Sequence, residues 1–193
     1  GTQDTATWGG PSQTNNDNGI RNSDWWTVVG GDGFQPRVDP TDANIVYAVL
    51  LESRQGPWEN GVWTGPGSGL HKSIDGGTTW RPLTRGLPTF ADGLGRIGIT
   101  VAPSDRTRLF AVVDARVLGG IYRSDDAGET WARVNAEPRV IARPADAADI
   151  RVHPANADIV FVPSIVTWKS TDGGRTFTGI RGAPGGDDYQ KIW

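Results

Sequence analysis

The chain contains no cysteine and no methionine, and only two histidines, among its 193 residues. Without cysteine there is no disulfide framework and no thiolate metal site, and the redox compartment cannot be read from that count. Two isolated imidazoles, His71 and His153, do not make the clustered donor set of a zinc or copper centre. His153 also occupies a repeat position that Asp39 and Ala102 fill elsewhere, as a turn residue would. A calcium site around Asp187 and Asp188 is chemically open, but no calcium-loop spacing occurs. No apolar run approaches the roughly 18 residues that would span a bilayer. The net charge is −3 without a run of Lys or Arg, which argues against a nucleic-acid partner. No glycine-rich phosphate loop is present. The expectation is therefore no metal and no cofactor. The missing initiator methionine implies that Gly1 follows a removed leader, a proteolytic cut or an unseen upstream segment.

What is abundant is turn chemistry. The chain has 27 Gly, 13 Pro and 9 Trp with 36% hydrophobic residues, enough to bury a core between many turns. One phrase recurs three times: Ser73-Ile-Asp75-Gly-Gly77-Thr-Thr-Trp80, Ser124-Asp-Asp126-Ala-Gly128-Glu-Thr-Trp131 and Ser170-Thr-Asp172-Gly-Gly174-Arg-Thr-Phe177. The three aspartates are 51 and 46 residues apart. Asp before Gly suits a tight turn, because the carboxylate accepts backbone N–H groups two or three residues on and Gly supplies positive φ. The aromatic that follows is large enough to anchor a hairpin between sheets. This turn chemistry accounts for every residue of the phrase without a catalytic or metal-binding role.

A second phrase precedes each of these. It reads Arg37-Val-Asp-Pro40 leading to Ile45-Val-Tyr47, Thr100-Val-Ala-Pro103 leading to Arg108-Leu-Phe110, and Arg151-Val-His-Pro154 leading to Ile159-Val-Phe161. Each predicts strand, proline-led turn, strand. With one more strand before the turn and one after it, a unit is four antiparallel strands. Recurrence at this period predicts radially repeated sheets, an all-β propeller without a sizeable helix. The units are a partial one at 1–29, then 30–88, 89–139 and 140–184, with 185–193 starting the next. The chain is expected to belong to a larger propeller; a ring of four closed by its own first and last strands is the alternative.

These phrases resemble the Asp-box, or BNR, repeat of sialidases, xyloglucanase-type glycoside hydrolases and sortilin-type receptor domains. The runs Gly30-Gly-Asp-Gly-Phe34, Gly185-Gly-Asp-Asp-Tyr189 and Gln3-Asp-Thr-Ala-Thr-Trp8 resemble secreted bacterial BNR-repeat proteins described as glycosyl hydrolase-like or sortilin-like. The resemblance covers nearly the whole chain and implies the fold more firmly than an activity, because enzymes and binding domains share the repeat. It also implies an extracytoplasmic protein, secreted, periplasmic or at the cell surface. The reading it favours is a non-catalytic module that scaffolds or binds protein or glycan. The alternative is a glycoside hydrolase of the xyloglucanase type. Sialidase chemistry fits poorly, since Tyr47 and Tyr122 lie in repeat strands.

Function is expected where the repeats differ. From proline to turn aspartate they span 35, 23 and 18 residues, so the first carries an insertion from Glu52 to Gly69. Within it Trp58 and Trp63, with Glu59 and Arg54, are candidates for ligand contact, as long loops on rigid scaffolds carry binding. At least one of the two tryptophans is expected to touch another blade, a subunit or a ligand. The catalytic candidates are Asp32, Asp187 and Asp188. Asp32 and Asp146 both stand eight residues before a repeat proline, where the second repeat has Gly95. Glycosidases need two carboxyl groups at a defined separation.

Overall fold

The computed structural model describes residues 7–9, 26–29, 32–33, 36–52, 64–142 and 148–181. A hairpin comes first, β1 (Thr7–Gly9) against β2 (Trp26–Val29). The first full sheet contains β3 (Asp32–Gly33), β4 (Arg37–Val38), β5 (Val46–Leu51), β6 (Gly69–Ser73) and β7 (Arg81–Leu83). The second contains β8 (Leu94–Ala102), β9 (Asp105–Ala115), β10 (Gly120–Ser124) and β11 (Ala132–Asn135). The third contains β12 (Arg151–His153), β13 (Asn156–Val162), β14 (Thr167–Ser170) and β15 (Thr178–Arg181). Strands pair antiparallel in chain order within each sheet, with β3 and β4 both on β5. The four-stranded antiparallel blades of a β-propeller are therefore present as the repeats predict, and the helical content described is a single 3-10 turn, Phe90–Asp92.

The first inner strand is split for a chemical reason. Asp32 and Gly33 lie opposite Leu51 and Leu50, whereas Arg37 and Val38 lie opposite Tyr47 and Val46. One extra residue on the inner side separates the two registers, and Pro36 sits in the gap. Proline has no N–H to donate to the ladder, so pairing is interrupted there.

Packing follows from alternation along β9. Leu109, Ala111 and Val113 join a core with Tyr47, Val49, Leu70 and Leu83 of the first sheet. Phe110 and Val112 point the other way, into a core with Ile150, Val152, Val160 and Val162 of the third. Both faces of the middle sheet are buried, which is why 109–113 reads as an unbroken apolar run rather than as alternation. Each fully buried side chain of this size contributes about 1.5–3 kcal/mol.

The repeated turn closes the third strand onto the fourth with one hydrogen-bond pattern. In the second sheet Ser124 Oγ donates to Asp126 Oδ1 (2.8 Å) and accepts from the Gly128 N–H (2.9 Å). Asp126 then accepts from the Thr130 N–H at 2.8 Å and its hydroxyl at 2.6 Å. Asp75 does the same for Thr79, and Asp172 for Thr176. The two residues after each aspartate have positive φ: Gly76 and Gly77, Ala127 and Gly128, Gly173 and Gly174. Only glycine adopts that region without cost, so Ala127 is the strained exception. The Trp131 indole donates to Gly128 O (2.9 Å) and is buried between the first and second sheets. Phe177 packs between the second and third, and the Trp80 indole, half-buried, donates to Gly77 O (2.9 Å).

Candidate functional site

Antiparallel order places the start of each inner strand and the loop from second to third strand at one edge of the sheet, opposite the repeated turns. Asp32 stands at this edge, paired with Leu51 in β3. Asp187 and Asp188, and the insertion residues Arg54, Trp58, Glu59 and Trp63, lie outside the described residues, as does Asp146. The base of the insertion is described. The Glu52 N–H donates to Ser68 Oγ (2.9 Å), and the Gly67 N–H donates back to Glu52 Oε2 (2.7 Å). Thr64 Oγ1 donates to Leu94 O at the head of β8. The two feet of the long loop are thus clamped together and tied to the second sheet.

A groove of about 440 Å³ opens at the same edge between the first and second sheets. One wall is Pro66–Leu70 and His71, the other Leu87–Ala91 with Leu94 and Ile97. Phe90 stands at the rim, 48% exposed. Its 3-10 turn is held by Asp92, whose Oδ2 accepts from both the N–H and hydroxyl of Thr89 at 2.8 Å. Those hydrogen bonds keep the Asp92 carboxyl below its ordinary range. Burial lowers the His71 pKa against a backbone hydrogen bond at Gly69, and its Nδ1 is buried without a hydrogen-bond partner. A mainly apolar, partly aromatic groove with few polar atoms suits the face of a sugar ring.

Nearer the inner strands lies a charged set. Arg37 Nε donates to Ile99 O (2.9 Å), and its Nη2 lies 3.4 Å from Asp149 Oδ1. Arg151 Nη2 lies 3.2 Å from the other oxygen of Asp149, whose side chain is 2% exposed. Burial and the neighbouring Arg151 lower the Arg37 pKa, while Asp149 opposes the shift. This set joins the inner strands of all three sheets.

Sequence reasoning missed Asp114. Gly95 holds the repeat position that carries Asp32 and Asp146 elsewhere, and the ladder shifts register between Leu94 and Ile97. Asp114 of β9 reaches over that irregularity: a Cβ on Gly95 would lie 2.5 Å from Asp114 Oδ2. Glycine at this position leaves room for the Asp114 carboxyl of the neighbouring strand. Burial raises the Asp114 pKa, while the Arg96 charge and a backbone hydrogen bond from Arg96 pull the other way. The glycine was the available signal: a departure from the repeat at the position where the other units carry acid. Among the described residues no group of three His, Asp or Glu side chains is arranged to hold a metal, and no helix is long and apolar enough to cross a membrane.

No family model matches the chain. A xyloglucanase of a Paenibacillus species is 28% identical over 187 residues, covering 84% of this chain and 17% of its own length. The GH74 xyloglucanase of Xanthomonas campestris superposes with a TM-score of 0.54 at 21% identity, over 77% of this chain and 23% of that one. YCF48, in a complex with a peptide, superposes with a TM-score of 0.51 at 15% identity over 76% of this chain and 40% of that one. The chain thus spans about a fifth of the length of the xyloglucanases it matches. The structural likenesses support the propeller fold. The sequence likeness to a xyloglucanase overturns the expectation of a non-catalytic interaction module, and the hydrolase alternative is the better supported.

Proposed function

We propose that the chain forms part of the propeller of a xyloglucanase-like glycoside hydrolase that cleaves a β-glucan-type polysaccharide. The observation that carries the proposal is sequence likeness to a xyloglucanase through 84% of the chain, across its repeats rather than at one motif. On this reading the repeat is the Asp-box of BNR proteins, which also accounts for the likeness to sortilin-type domains. The units are those at 1–29, 30–88, 89–139 and 140–184, with 185–193 opening another. Asp114, whose carboxyl stands beside Gly95 at this edge, is the candidate general acid. Asp32, Asp187 and Asp188 are the candidates for the ionised partner, since both glycosidase geometries need one acid and one carboxylate. Trp58 and Trp63, with Arg54 and Glu59, are proposed to hold the glycan beside the Phe90 groove. A polysaccharide substrate of this kind places the protein outside the cytoplasm.

The test is to incubate the polypeptide translated from the complete reading frame with xyloglucan and to count new reducing ends. Release that drops at least about 100-fold in Asp32→Asn or Asp187→Asn is expected for a carboxylate in the reaction. Retention of the polysaccharide without any cleavage would overturn the proposal.

A further inference from the structure

The insertion of the first repeat rejoins its sheet through a short turn, Gly65-Pro66-Gly67-Ser68, whose last three residues line one wall of the groove. The Ser68 N–H donates to Gly65 O (3.0 Å), closing four residues with Pro and Gly at their centre. Glu52, directly after β5, fastens this turn from the other foot of the loop. Its Oε2 accepts from the Gly67 N–H (2.7 Å), and its own N–H donates to Ser68 Oγ (2.9 Å).

Both glycines of the turn are fitted to the Glu52 carboxylate. Neither has a positive φ, so neither is required by its backbone conformation. What they supply is room: a Cβ on Gly65 would overlap the Glu52 carboxyl carbon, and one on Gly67 would stand 3.1 Å from Oε2. A carboxylate that accepts a backbone N–H makes one of the stronger kinds of hydrogen bond. It is spent here on a turn whose residues Pro66, Gly67 and Ser68 face the groove.

Among the described residues no Asp, Glu, Lys or Arg side chain lines that groove. Pro66 is exposed on one wall and Phe90 stands at the rim of the other. The occupant that suits two such rings is a neutral pyranose, held by its apolar face. A uronic or sialic acid would bring a carboxylate into a lining without a cation to meet it.

We propose that Glu52 is a positioning residue for a neutral sugar unit: its carboxylate fixes the Pro66 wall, and so the width of the groove, without touching the ligand. This rests on the reading of this edge as a glycan site, but not on cleavage of the glycan.

The test is calorimetric titration of the polypeptide from the complete reading frame with a neutral xyloglucan oligosaccharide. Glu52→Ala and Gly65→Ala should each raise Kd at least about tenfold. Glu52→Gln, whose amide oxygen still accepts from Gly67, should stay within about twofold. Gly65→Ala added to Glu52→Ala should cost nothing more, because no carboxyl is left to displace. Hydrogen exchange read by peptide mass spectrometry should show residues 64–70 released in both alanine variants and held in Glu52→Gln, with the other peptides unchanged. Four results would each overturn the proposal: no binding by the unmodified protein, an unchanged Kd in Glu52→Ala, unchanged exchange over 64–70 in that variant, or additive losses in the double variant. Binding that follows the expected pattern without any new reducing ends would remove the hydrolase reading and leave this one standing.

Discussion

At the scale of single residues, the turn aspartates hold their hairpins by being ionised. Asp75 is brought to about 2, chiefly by the Thr79 hydroxyl and N–H. Asp172 also falls to about 2: burial opposes the shift, and the Thr176 hydroxyl and N–H outweigh it. A carboxyl lowered in the folded state stabilises above its ordinary value of about 3.9 and loses that contribution as pH falls through its folded value. Thermal unfolding followed by circular dichroism should therefore show the melting temperature dropping between about pH 4 and pH 2, and less steeply in Asp172→Asn. Ala127 makes a separate prediction. It holds a left-handed φ of 57° while its carbonyl accepts from Tyr47 and Lys72. Ala127→Gly keeps both hydrogen bonds and removes the Cβ clash, so denaturant titration should show stability raised by about 0.5–1 kcal/mol. The turns were legible residue by residue, since Ser, Asp, Gly and Thr each have one local task. That Ala127 would take a left-handed φ could be inferred only from its alignment with Gly76 and Gly173.

At the scale of elements, the sheets are joined by a few large side chains that reach across. The Trp131 ring leaves its own hairpin to lie beside Leu83 and Leu87, and its backbone N–H donates to Arg85 O (2.9 Å). Trp131→Ala should cost about 3–5 kcal/mol in equilibrium unfolding, a cavity between two sheets rather than a surface loss. The Lys72–Glu129 pair, 3.0 Å apart between the first and second sheets, tests whether charge governs the junction. Lys72→Glu should destabilise by about 2 kcal/mol, and adding Glu129→Lys should recover part of that loss in a double-mutant cycle. Additive losses would mean that Lys72 acts through its packed stem alone. Strand order and turn positions were legible because proline and the Ser-x-Asp phrase punctuate every unit. The split between β3 and β4 was not, because Pro36 reads equally well as the edge of a continuous strand. Nor does the apolar run 109–113 say which neighbour each face meets; that is decided only when a sheet stands on both sides.

At the scale of the whole molecule, the sequence carried the repeat and concealed the proposed site. Repeated positions are visible by comparison within the chain, whereas a catalytic group needs only one copy. Asp114 has none, and it became visible only when β9 was laid beside the register shift at Gly95. The insertion was legible as excess length, and its clamped base at Glu52, Gly67 and Ser68 places its emergence at the edge where the groove opens. On the proposed hydrolase reading, this edge supplies the acid of glycan hydrolysis, and Asp114, beside Gly95, is its candidate proton donor. The most direct measurement is the pH dependence of kcat on xyloglucan for the complete polypeptide and its Asp114→Asn variant. A donor with a raised pKa predicts a rate that falls as pH climbs through that value, a loss of about 100-fold or more in the variant, and disappearance of that limb from the residual activity. An Asp114→Asn enzyme with unchanged kcat and an unchanged profile would contradict it.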